Sequence, residues 1–164
     1  MNAVAAWGRP LVCLFLCAGL AGPALADVEI TDGWARETVP GATTGAGYLV
    51  MHNAGSQPRK LTGMSSPAAA QVTAHQSSVD AQGVARMLPV TSLELAPEQT
   101  LRFDPSGYHL MFEGLKAPLK VGGEVPVTFQ FSGEKPLTVR LKVRSLMDAG
   151  DAAPAHEHEH AHHH

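Results

Sequence analysis

The chain has 164 residues with a formal net charge of −3; 16% of its residues are charged and 45% hydrophobic, with 16 Gly and 12 Pro. That length suits one domain with a real core, and there is no basic surplus through which non-specific nucleic-acid binding could act. The apolar content excludes a disordered chain, and the wealth of helix-breaking residues favours a turn-rich β domain.

Residues 1–26 read as an export signal. Arg9 precedes the apolar run Leu11–Ala21, and Ala24-Leu25-Ala26 supplies the small-x-small pattern expected before a cut between Ala26 and Asp27. The run is shorter than the roughly 20 residues of a membrane-spanning helix, so no membrane span is expected after cleavage. Both cysteines, Cys13 and Cys17, lie inside it. The exported domain therefore lacks thiols, which excludes a disulfide framework, a cysteine nucleophile, a thiolate zinc site and a blue-copper centre. Leu16 is bulkier than the residue expected before a lipid-modified cysteine, which disfavours a lipoprotein.

Extended segments are predicted at 46–52, 59–63, 70–75, 83–88, 99–103 and 108–113, separated by clusters of Gly, Pro, Ser, Asp or Asn. In 125–131 Val125, Val127, Phe129 and Phe131 share one parity, and 137–144 alternates in the same way. The Gly-containing turn between these two runs makes them a hairpin. No segment carries helical periodicity over three turns. The expected fold is all-β, an antiparallel Greek-key sandwich or barrel, because one alternating sheet cannot bury its apolar face alone. The predicted domain occupies 27–147, and 148–164 is a flexible, His-rich tail.

Three of the nine histidines, His52, His75 and His109, precede that tail. Gly107-Tyr108-His109-Leu110-Met111-Phe112, read as a strand, turns Tyr108, Leu110 and Phe112 to the core and places His109 and Met111 together on the outer face or rim. His75 occupies the polar parity of its own segment, and Met87 stands near a strand end that runs into Pro89. His52 is read as a surface histidine, Met51 and Met64 as packing residues, and Trp34, Tyr48 and Tyr108 as core aromatics. Asp104-Pro105-Ser106-Gly107 is a turn that presents His109.

At these residues the chain resembles the periplasmic copper chaperones of the PCuAC family, which accompany cytochrome oxidase assembly. The family signature is a histidine, an optional methionine, ten residues, a methionine, twenty-one residues and His-x-Met. Here His75 is followed by Gln76 at the optional position, residues 77–86, Met87, residues 88–108 and His109-Leu110-Met111. The likeness extends upstream through Gly33-Trp34-Ala35-Arg36, Gly45-Ala46-Gly47-Tyr48-Leu49 and Asn53-Ala54-Gly55. The resemblance implies a cupredoxin-like barrel in the periplasm that binds one Cu(I) through His75, Met87, His109 and Met111. Gln76 departs from the fuller pattern and removes an auxiliary sulfur. The implied acceptor is the binuclear copper centre of cytochrome c oxidase subunit II, reached directly or through a thiol-containing copper assembly protein.

The donor types suit that cargo. Thioethers are soft ligands that favour Cu(I), and they carry no proton for acid to restore. Imidazoles bind only when neutral, so affinity should fall as the pH drops below about 6. Nothing resembling a catalytic triad, a carboxylate pair or a phosphate-binding loop argues for an enzyme.

The tail carries His156, His158, His160, His162, His163 and His164 beside Glu157 and Glu159, donors that suit Cu(II). Its alternating start reads as a native extension rather than a purification tag. The alternative function is a periplasmic copper or zinc buffer acting mainly through this tail. A metal-independent adhesion or assembly module is the third reading, separable because it would gain no thermal stability from metal.

Overall fold

A computed structural model describes residues 27–145, in ten strands: β1 (Val28–Arg36), β2 (Thr44–Asn53), β3 (Arg59–Ser65), β4 (Gln71–Val79), β5 (Ala85–Pro89), β6 (Leu93–Leu95), β7 (Thr100–Phe103), β8 (Tyr108–Glu113), β9 (Glu124–Phe131) and β10 (Leu137–Arg144). The export signal with Cys13 and Cys17, and the histidines of the tail, lie outside the described residues. Among the described residues there is no helix.

The strands form one curled sheet in the order β5-β4-β8-β7-β2-β1-β10-β9-β3-β6, with β8 also paired to the first half of β2. It ends on β5 and β6 and so remains open, as an all-β, cupredoxin-like sandwich. The pairings are mostly antiparallel, but β1 runs parallel to β10 and β7 meets β8 in a parallel bridge. Curling brings the inner parity of β4, β8 and β2 against that of β9 and β10. Phe112, Leu110, Leu49, Phe129, Val125, Val127 and Leu141 fill the space between and are almost wholly buried.

Two strands escaped the sequence reading. β1 begins with the alternation Val28-Glu29-Ile30-Thr31, but Asp32 adopts φ 53° and the register to β2 shifts between Thr31 and Trp34. This bulge switches the parity midway and hides the strand from an alternation test. Gly33 leaves room there for Leu141, since a Cβ would fall 2.6 Å from its Cδ2 and force that buried side chain to shift. β6 is three residues long, too short to show a period, and is tied in by Asn53. The buried Asn53 amide donates to the carbonyls of Gln57, Leu95 and Ala96 at 2.8, 3.0 and 3.1 Å, fastening the end of β2 to β6.

Candidate metal centre

Residues opposed in an antiparallel ladder share a face, as do residues two apart on one strand. His75 opposes His109, and Thr73 opposes Met111, across β4 and β8; Ser77 opposes Met87 across β4 and β5. His75, Met87, His109 and Met111 therefore all project from one face, opposite to the face on which Val72, Ala74, Leu110 and Phe112 enter the core. Three adjacent strands thus gather side chains from positions 75 to 111 onto one patch.

The expectation of an outer face holds for the strand geometry, but His109 is only 5% exposed. It sinks into a cleft of ≈ 450 Å³ that Met87, Met111, Tyr48, Arg36 and Val39 also line. Met87, by contrast, is 51% exposed at the mouth, on the edge strand. His75 is half-buried and adjoins the cleft through His109, the two rings lying 5.9 Å apart between centroids and inclined at 33°.

Each imidazole is anchored by one nitrogen and leaves the other bare. His109 Nδ1 lies 3.3 Å from the carbonyl oxygen of Gly107, which can only accept, so Nδ1 carries the proton. His75 Nε2 lies 3.1 Å from the hydroxyl of Thr73, which itself donates to Glu113 Oε1 at 3.0 Å. The remaining nitrogens, His75 Nδ1 and His109 Nε2, are buried without a hydrogen-bond partner. A buried polar atom left without a partner costs free energy, which a ligand there would recover.

Among the described residues no three His, Cys, Asp or Glu side chains gather as a metal group. Met87 and Met111 line the same cleft as His109, and thioethers beside imidazole nitrogens would suit a soft metal ion. His52 takes no part: its Nδ1 meets the hydroxyl of Thr100 at 3.1 Å, away from the cleft. Met51 is fully buried and Met64 packs on the core, as expected of packing residues.

The aromatic residues divide: Tyr48 is only 5% exposed, as expected of a core aromatic, whereas Trp34 is partly buried. Trp34 and Tyr48 lie on the outer parity of β1 and β2, where their rings meet at 4.4 Å, and the Arg144 guanidinium sits 5.9 Å above Trp34. Tyr48 lines the cleft, and burial raises its phenol pKa, partly offset by Arg36. Tyr108 does pack against the core. The roles of Thr73 and Glu113 are absent from the sequence reading, although Thr73-x-His75 and His109-x-Met111-x-Glu113 put them on the site face by strand parity, whereas Gly107 belongs to the turn expected to present His109.

Comparison with known proteins agrees with this architecture. Residues 28–143 match the family model described as "Putative lipoprotein LpqE-like". A protein of Leifsonia xyli subsp. xyli, named "Putative lipoprotein Lxx21020", is 30% identical over 125 residues, covering 76% of this chain and 74% of its own. The solution structure of apo-DR1885 from Deinococcus radiodurans is 28% identical with a TM-score of 0.57, covering 88% of this chain and 97% of that one. Its CuI form is 29% identical with a TM-score of 0.55, covering 77% and 83%. The copper-bound PCuAC domain from PmoF2, 21% identical over 74% of this chain and 96% of that domain, shares the fold at a TM-score of 0.62. The chain belongs to the LpqE-like family.

Proposed function

We propose that this member of the LpqE-like family is an exported copper chaperone that carries Cu(I) on His75, Met87, His109 and Met111. The observation that carries the reading is the pair of buried, unpartnered nitrogens, His75 Nδ1 and His109 Nε2, on rings 5.9 Å apart beside two thioethers. The CuI form of DR1885 and the copper-bound PCuAC domain support the choice of metal. All four donors are neutral, so the bound ion keeps its single positive charge. An acceptor's thiolates would add the anionic donors missing here and draw the ion onward, entering beside the exposed Met87.

The periplasm is the proposed compartment. The names of the family and of the Leifsonia relative support export, and among the described residues no helix is long and apolar enough to cross a membrane. The binuclear copper centre of cytochrome c oxidase, or a thiol-containing assembly protein, is the proposed acceptor. The carrier role needs no catalytic chemistry.

The test is a Cu(I) titration of the full chain in competition with a chromophoric chelator, with X-ray absorption on the loaded protein. One high-affinity ion with two sulfur and two nitrogen neighbours is expected, lost in His75→Ala and His109→Ala. Full affinity in either variant, or a site of nitrogen and oxygen alone, would refute the reading.

A further inference from the structure

We propose that Thr73 and Glu113 act as a positioning relay that orients His75 and offers its Nδ1, rather than its Nε2, to the metal. The inference rests on the copper site proposed above.

The proton count fixes the direction of the chain. A threonine hydroxyl holds one proton, and that of Thr73 lies 3.0 Å from a carboxylate oxygen of Glu113, which accepts. Thr73 Oγ1 must then accept at its 3.1 Å contact with His75, so Nε2 is the protonated nitrogen. Nδ1 is left with a free lone pair, and it is this atom that lies buried without a partner beside His109. His109 is held in the opposite sense, with Nδ1 on the Gly107 carbonyl and Nε2 bare. Two neighbouring rings opposed in one ladder thus leave different nitrogens bare.

Strand parity builds the relay. Thr73 and His75 are two apart on β4, Met111 and Glu113 two apart on β8, and Thr73 opposes Met111. The outer face therefore has the positioning groups next to the ligands, while none of the relay atoms enters the core. A carboxylate at the end of such a chain polarises it, raises the donor strength of the free nitrogen and holds the ring against rotation. Glu113 also brings a negative charge close to a ligand set that has none, which offsets the charge of Cu(I).

The experiment uses the full chain, with Cu(I) affinity measured against a chromophoric chelator. Thr73→Val and Glu113→Ala are each expected to weaken Cu(I) binding about 10- to 100-fold, the usual range for lost partners of metal-ligating histidines. The double variant should lose no more than the weaker-binding single, because both break one chain. Thr73→Ser should restore wild-type affinity, and apo melting temperatures should stay together. Nitrogen-15 NMR of the apo protein at mildly alkaline pH should find the His75 proton on Nε2 in wild type and Thr73→Ser. A proton on Nδ1 would overturn the relay, as would wild-type affinity in Thr73→Val and Glu113→Ala while His75→Ala fails to bind. Unchanged affinity in His75→Ala would instead overturn the copper site, and the relay with it.

Discussion

Met87 lies directly opposite Ser77 in the β4–β5 ladder, which puts its thioether on the face of the His75 imidazole, two residues back along β4. The register is set by the turn between the strands. Asp80 Oδ1 accepts from the backbone N–H groups of Val84 and Gln82 at 2.9 and 3.1 Å, and Oδ2 pairs with Arg86 at 3.2 Å. Asp80→Ala should therefore loosen the hairpin, speed amide exchange in 77–87 and weaken Cu(I) binding several-fold. The core melting temperature should hardly move. The N–H of Val84, followed by Arg86 and Gln82, holds the Asp80 carboxyl below its ordinary value despite some desolvation. A lowered folded pKa means this contribution is complete above the unfolded value of about 3.9 and fades as pH falls through the folded one. Amide exchange in the hairpin, corrected for intrinsic rate, should thus be flat above about pH 5 and rise in acid.

The two methionines should be separable by stability. Met→Leu conserves volume and removes only the sulfur, at less than about 1.5 kcal/mol. At Met87, which is 51% exposed, the change should stay within about 0.5 kcal/mol. Met111 is half-buried and should show the larger loss. Both substitutions should lower Cu(I) affinity at least tenfold and remove one sulfur neighbour from the X-ray absorption spectrum; wild-type binding by Met87→Leu would exclude Met87 as a ligand.

How much of this was legible in the sequence depends on what each residue's signal rests on. Strands such as β9 and β10, with unbroken alternation, are readable because burial on one face imposes a period of two. β1 is not, because Asp32 and Gly33 reverse the parity in its middle. The convergence of His75, Met87, His109 and Met111 follows from register, which alternation leaves open; the family spacing supplied what periodicity could not. Tyr48 is buried as its size suggests, but on the outer side of β2: Gly47 beside it faces inward instead, where a Cβ would meet Phe112 at 3.0 Å. The parity of β2 puts glycines on the core side and the tyrosine over the cleft. Strand parity puts Thr73 and Glu113 on the site face, but the hydrogen bond between them depends on a pairing 40 residues apart that parity does not specify.

The tail histidines should form a separate class of site. Deleting residues 149–164 removes all six imidazoles from His156 to His164 and leaves the ligand strands untouched. Cu(II) binding should fall sharply while Cu(I) affinity and its two-sulfur spectrum persist. Equal loss of both would show that tail and domain hold one ion together, and would favour a buffering role.

Copper should also repair damage made on the far side of the site strand. Leu110 is fully buried between His109 and Met111, with its side chain in the core. Leu110→Ala should cost about 2–5 kcal/mol through lost burial and the cavity left behind. The ligands on either side of it project from the opposite face, so the site can still form whenever the strand is folded. Cu(I) that binds only the native state then adds stability, about 2.7 kcal/mol at a free concentration one hundred times Kd. Thermal melting of Leu110→Ala should rise markedly with Cu(I) held by a chelator buffer. The same addition should leave the double variant Leu110→Ala/His75→Ala at its apo melting temperature, because the ladder partner of His109 is gone. Equal stabilisation of both would mean that the metal acts elsewhere on the chain.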